Sequence, residues 1–267
     1  MKPSSLVKRR RLSSPAATLT IFPVPGLPEI AKGDDLAMLI AKAMKRARIE
    51  LQDADILVVA QKIVSKSEGQ VLSLSGIAPS ARARQLAKQL RKDAQLVELI
   101  LRESRRVLRS ERVLIVETHH GFVCANAGID HSNVPGKNCV ALLPKEPDVS
   151  TRRLARDLRK RTGKRVGVII SDTFGRPWRL GLTNVAIGVA GLPALLDLRG
   201  QRDRDRKVLQ ATVLAVADEL ASAAGLLMGK SAGIPVVVIR GYDYRPTDAS
   251  EATAASMIRP AREDLFR

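Results

Sequence analysis

A chain of 267 residues with 45% apolar side chains has room for one large domain or two small ones around an ordinary core. Lys and Arg number 45 against 27 Asp and Glu, a formal net charge of +18, and such a field favours anionic partners such as nucleotides, phosphodiesters or nucleic acid. Aromatic residues make up only 3%, too few for the base-stacking platforms of single-strand binders, which counts against nucleic acid.

The opening run Lys8-Arg9-Arg10-Arg11 leads into Ser-Ser-Pro rather than an apolar signal region, and residues 1–17 read as a solvated basic tail. Residues 18–24 predict a strand, and Pro25-Gly26-Leu27-Pro28 a loop, because prolines deny it a hydrogen-bonded ladder. Asp34 and Asp35 mark a helix start, with Leu36, Leu39, Ile40 and Met44 at helical spacing. The run Asp-Ile-Leu-Val-Val-Ala at 55–60 predicts a buried strand, ending at Gln61-Lys62 and a polar loop that includes Ser65 to Gly69.

Residues 79–109, with Leu86, Leu90, Leu96, Ile100 and Val107 as apolar positions, predict two charged surface helices. Segments 113–117 and 122–126 flank Thr118-His119-His120-Gly121 as a hairpin. Adjacent histidines in an extended segment point to opposite faces, which argues against a two-histidine metal site. Cys124 and Cys139 show no paired spacing and read as reduced thiols of a cytoplasmic protein.

A basic helix is expected over 151–161, ended by Thr162-Gly163, and then a β-branched strand over 166–170 that runs into Ser171-Asp172-Thr173. Residues 211–217 predict a strand, Asp218-Glu219 a helix start reaching Met228, Gly229-Lys230-Ser231 a loop, and 234–240 a strand. The apolar stretches 185–198 and 211–228 are interrupted by Pro193, Asp197, Asp218 and Glu219, so no membrane span is expected. Irregular alternation of strands and helices, with hairpins, points to an α+β fold.

Asp172, carried at the end of a buried strand beside the Thr173 hydroxyl, offers the hard oxygen ligands that magnesium or manganese prefers; an Asp at such a place is also a common turn former. Asp130 likewise follows a predicted strand, with Asn133 three residues on, and the two acids could share a two-metal clamp on phosphates. Gly229-Lys230-Ser231 is not a Walker motif, since Ala224 stands where the first glycine belongs and a helix precedes it. Lys62 and Lys66 could neutralise phosphate charge.

Several segments together resemble the coenzyme F(420)-0:glutamate ligase family: Phe22-Pro-Val-Pro-Gly-Leu-Pro-Glu-Ile30, Val58-Val-Ala-Gln-Lys-Ile-Val-Ser-Lys66, Gly121-Phe-Val-Cys-Ala-Asn-Ala-Gly-Ile-Asp130, Ser171-Asp-Thr-Phe-Gly-Arg-Pro-Trp-Arg179, and 184–191 and 217–230 beyond them. The resemblance runs from about Thr18 to Tyr242. It implies one ligase domain over 18–267, built of two intertwined lobes with antiparallel sheets in an interlocked homodimer. It also implies addition of L-glutamate to the free carboxylate of a deazaflavin coenzyme precursor, with GTP activating that carboxylate as an acyl phosphate and a γ-linked tail growing afterwards.

By the same resemblance Asp130, Asp172 and Thr173 bind two divalent ions, Mg2+ or Mn2+, with K+ a further candidate. Leu27, Pro28, Glu29, Ile30, Gln61, Lys62, Lys66, Asn133 and the loop Met228, Gly229, Lys230, Ser231, Ala232, Gly233 and Ile234 would surround GTP. One departure stands out: some members carry an acidic ligand where this chain has Lys230. Either the lysine contacts phosphate, or Asp218 or Glu219 compensates. The alternatives are a basic nucleic-acid-binding protein, or a metal-dependent phosphotransferase on the same scaffold that ignores glutamate.

Overall fold

The computed structural model describes residues 18–247 and 253–264; the predicted basic tail over 1–17 lies outside them. In chain order the elements are β1 (Thr20–Pro23), α1 (Leu36–Arg46), β2 (Ile56–Ala60), α2 (Gln61–Ser67), β3 (Val71–Ser73), α3 (Ala81–Leu90), α4 (Ala94–Arg102), β4 (Ser104–Arg109), β5 (Ile115–Thr118), β6 (Val123–Ala125) and β7 (Cys139–Ala141). Then follow α5 (Pro147–Thr162), β8 (Gly167–Arg176), β9 (Arg179–Ala190), β10 (Leu196–Asp197), β11 (Val213–Leu214), α6 (Val216–Met228) and β12 (Val236–Arg240).

The central sheet has the order β1-β12-β2-β8-β9, with β2 and β8 parallel and every other pair antiparallel, so the α+β expectation holds. Near-continuous apolar runs suit strands covered on both faces. One face, with Leu57, Val59, Val168 and Ile170, packs on α1 and α5; the other, with Ile56, Val58, Ile169 and Val237, packs on the small-residue helix α6. A third apolar cluster joins α3 and α4 to β5 through Val97, Ile100, Leu114 and Val116. Among the described residues no helix is long and apolar enough to cross a membrane.

Helix ends follow the expected signals. Asp35 caps α1 by accepting the Met38 N–H at 2.8 Å, and Gly163, at φ +73°, closes α5 in the left-handed conformation. At the free edge of the sheet, acids in the first turns of α5 and α6 reach β9: Asp148 accepts from Val189 N–H at 2.9 Å and Asp218 from Ala186 N–H at 2.8 Å. These contacts satisfy edge donors that would otherwise be open to pairing.

Four expectations need correction. The polar loop predicted after Ala60 is the helix α2, because Ile63 and Val64 turn into the core while Ser65 donates to Gln61 Oε1 across one turn at 2.8 Å. Residues 104–109 leave the helical run and form β4, where Arg106 is held by Glu117 of β5. The strand expected over 211–217 shrinks to β11, since Val216, Ala217, Leu220 and Ala221 already follow the helical period of α6. Asp172 does not stand past a strand end or in a turn: β8 continues through it to Arg176, paired with β9.

The β8–β9 hairpin ends in a projecting tip on which Trp178, Leu180 and Leu182 are 86%, 98% and 65% exposed. At its other end, close packing sets a strict size limit. A Cβ on Gly188 would lie 2.4 Å from Thr151 Oγ1 and 2.6 Å from the Pro147 carbonyl, so Gly188→Ala must push α5 off β9. The expected loss is about 2–3 kcal/mol, measured as a lowered urea midpoint; an unchanged midpoint would show that α5 can yield.

Candidate functional site

Parallel pairing puts Ala60 beside Ser171, so Gln61, just past the carboxyl end of β2, comes beside Asp172, which lies partway along β8, at the end of β2 where open sheets commonly form a crevice. A cleft of about 560 Å³ opens there. Its walls are residues 27–30, 60–63 with Lys66, Asp130 with Ser132 and Asn133, 171–173, Leu182 and Asn184, and the end of α6 with its following loop to Pro235. Every predicted site residue lines it except Ala232, which sits in the same loop but off the wall.

Asp130 follows β6 through a short turn in which Asn126 and Ala127 take left-handed backbone angles, and it bridges to Ala141 of β7. Its Oδ1 accepts from the Ser132 N–H and hydroxyl, each at 2.8 Å, and its Oδ2 pairs with Lys62 Nζ at 2.8 Å. Burial raises the Asp130 pKa, but Lys62 and Ser132 outweigh it, and the carboxyl is held below its ordinary value. Lys62, from the first turn of α2, also donates to the Ser132 hydroxyl at 2.9 Å. One turn on, the buried Lys66 pairs with Glu29 of the proline-bounded loop.

Asp172 behaves in the opposite way. Burial pushes its carboxyl up to about 6, helped by the charge of Asp130 and opposed by the Thr173 N–H, Lys230 and Lys62. Two acids in one cleft thus differ sharply in proton affinity, a pattern common at functional sites. Thr173 Oγ1 accepts from Lys230 Nζ at 3.0 Å and donates to Asn184 Oδ1 at 3.2 Å. Asn133 Nδ2 reaches the Lys230 carbonyl at 3.4 Å, tying the loop after α6 to the Asp130 segment.

Sequence reasoning missed Ser132, Ser171 and Asn184 as parts of the wall. Ser132 sits two residues past Asp130, the spacing at which a carboxylate folds back on a following N–H, and that was the available signal. Asn184 faces the site only through β8–β9 register, opposite Thr173, which no local pattern encodes. Ser171 is 2% exposed and its hydroxyl has no partner among the described residues, a buried polar group that lacks the hydrogen bond such groups normally make.

The expected alternatives to Lys230 fare differently from it. Asp218 is turned to the Ala186 N–H of β9, and neither Asp218 nor Glu219 lines the cleft. Of the tandem histidines, His119 meets the Arg102 carbonyl and His120 those of Pro144 and Lys145, away from the acids. Both cysteines are free, and burial with the charge of Asp172 pushes the Cys124 thiol up to about 12, leaving it inert. A second cleft of about 570 Å³ lies between α1, α2 and α5, but its Asp34, Asp35 and Glu68 are engaged by the Ala31 N–H, Arg161 and Arg153.

Among the described residues no three His, Cys, Asp or Glu side chains cluster as a metal cage. Two carboxylates and a threonine hydroxyl do suit a hard cation that keeps waters and takes its remaining ligands from phosphate. The buried carboxyl of Asp172, its proton affinity raised by desolvation, and the unpartnered Ser171 hydroxyl fit a polar ligand in the same place.

Residues 26–241 match the family described as F420-0:Gamma-glutamyl ligase. A coenzyme F420:L-glutamate ligase of Methanothermobacter thermautotrophicus is 46% identical over 251 residues, covering 93% of this chain and 99% of the relative. Its counterpart from Methanocaldococcus jannaschii is 44% identical over 83% of this chain and 88% of its own length. A third, from Haloarcula marismortui, is 40% identical over 93% and 96%.

Proposed function

Because this chain belongs to the F420-0:gamma-glutamyl ligase family, we propose that it attaches L-glutamate to the free carboxylate of a deazaflavin coenzyme precursor at the expense of GTP. The observation that carries the reading is the convergence of Lys62, Lys66 and Lys230 with Asp130 and Asp172 on one cleft that lies wholly inside the matched residues. Lysines there offer charge-assisted contacts to phosphate, and carboxylates beside them offer metal ligands.

A carboxylate is a poor electrophile and needs activation before an amine attacks it. In the proposed sequence an acceptor carboxylate oxygen bonds to the γ-phosphorus as the bond to the β–γ bridging oxygen breaks, giving an acyl phosphate and GDP. The glutamate amine then attacks the acyl carbon, an amide forms and phosphate leaves. Further rounds extend a γ-linked tail. Asp130, Asp172 and Thr173 would hold Mg2+ or Mn2+, whose contribution is charge neutralisation on the β- and γ-phosphates.

The chain's own groups set the stage for this. The Lys62 ammonium pairs with Asp130 Oδ2, and exchange of that partner for a phosphate oxygen would free one carboxylate oxygen. Lys66, one turn on, holds the loop of Leu27 to Ile30 against the cleft through Glu29. The exposed Trp178, Leu180 and Leu182 support assembly as a homodimer, since exposed apolar clusters mark interaction surfaces. Catalysis would take place in the cytoplasm.

Product masses test the reading. The purified protein incubated with acceptor, glutamate, GTP and Mn2+ should yield acceptor heavier by whole glutamyl units, and omission of either GTP or glutamate should abolish the gain. GTP consumption that ignores glutamate would favour a phosphotransferase instead.

A further inference from the structure

We infer that this cleft takes one divalent cation per chain, not two, with the Lys230 ammonium standing where a second ion would otherwise meet the nucleotide phosphates. The inference rests on the nucleotide reading above and concerns the charge inventory of the same site.

That inventory is short. Lys62 and Lys230 bring two positive charges to the two negative charges of Asp130 and Asp172, and Lys66 is paired with Glu29, so the charged side chains of the wall cancel before any ligand arrives. Their oxygens are also largely engaged. Both Asp130 oxygens have donors, Oδ1 from Ser132 and Oδ2 from Lys62. The Thr173 hydroxyl accepts from Lys230 and gives its proton to Asn184, which leaves one lone pair. Asp172 is the acid of the two that forms no ion pair, since Lys62 is on Asp130 and Lys230 on Thr173.

One dication held by Asp172 would supply the positive charge that this carboxylate lacks as a partner. A second would have to settle beside the Lys230 ammonium, where the one other carboxylate on the wall, Glu29, is paired with Lys66, Asp218 is committed to β9, and Glu219 does not line the cleft. Lys230 is also well placed to stay. It follows the glycine that ends α6, and its carbonyl is held by Asn133 from across the cleft. A lysine there supplies one positive charge to the phosphates without a bound ion, as a compact point charge.

The test counts ions. Mn2+ is titrated into the full chain, with free Mn2+ read by electron paramagnetic resonance, in the absence and in the presence of GDP. One Mn2+ per chain is expected in both, and two per chain in Lys230→Glu, where a carboxylate replaces the ammonium. Two ions in the native chain, none at all, or one in a folded Lys230→Glu protein would overturn the inference. Lys230→Met should weaken binding of a fluorescent GTP analogue about tenfold, and unchanged affinity would remove the ammonium from the phosphates. If the native chain binds no GTP analogue, the nucleotide reading falls while the Mn2+ count without nucleotide still decides the ion number.

Discussion

Asp172→Asn is expected to lower ligase turnover by on the order of 10²–10³-fold and, in the same protein freed of metal by EDTA, to raise the melting temperature. The two effects share one cause. An Asp carboxyl that titrates at about 6 in the folded chain, against an ordinary 3.8, is a group the fold prefers protonated. Its contribution to stability is complete below pH 4 or so and is lost as pH rises through 6. Above that the charged form costs up to about 3 kcal/mol. Asn keeps the shape without the charge, so the penalty vanishes together with the metal ligand.

Two measurements check this. Thermal unfolding of native and variant chains should differ by a few degrees at pH 8 and converge near pH 4, because the native carboxyl is then protonated too. Mn2+ affinity of the native chain should fall below pH 6 as protons compete for Asp172. A variant that melts no higher at pH 8, or that still adds glutamate at the native rate, would refute the assignment.

Asp55→Ala is expected to be the most destabilising change away from the cleft, at about 3 kcal/mol. Asp55 is 1% exposed just before β2, and it receives two hydrogen bonds from the Arg240 guanidinium, at 2.8 and 2.7 Å, and one from the Gln52 N–H at 2.8 Å. Removing the acid leaves a partly buried guanidinium over the Phe22 ring with only the Glu50 carbonyl as a hydrogen-bonding acceptor. The comparison is a double-mutant cycle in urea with Arg240→Met: the pair should cost less than the two single changes added together. Additive costs would mean the pairing contributes nothing. This clamp joins β2 and β12 at the end of the sheet opposite the cleft, so the folded fraction should retain its turnover.

How much of this was legible in the sequence depends on the range of the interactions involved. Local signals read well: the Asp35 cap, the Gly163 stop, the apolar run of β2 and the hairpin around His119 are short-range features with short-range causes. Asp130 and Asp172 could be picked out as acids after apolar runs, and Lys62 and Lys66 as neighbouring cations, without reference to any relative. Their meeting could not, because it depends on β2 lying parallel to β8, residues more than a hundred apart.

The errors have the same origin. Arg105 and Arg106 look helical beside α4, and only Glu117 on a later strand makes β4 of them. Asp172 looks terminal because charged and small residues follow it, whereas β9 returns to pair with them. Asp218 looks available as a ligand, whereas its carboxylate accepts from the Ala186 N–H of β9.

The hairpin tip has a spectroscopic use. Trp178 is the chain's one tryptophan, and it stands 86% exposed at the far end of the strands that carry Asp172 and Asn184. Indole emission from this protein therefore reports a single place: it should be that of a water-bathed ring in the isolated chain and should shift to the blue on dilution series read upward in concentration, wherever another surface covers the tip. Because the core holds no second tryptophan, association can be followed by emission colour without a label and without interference from the interior.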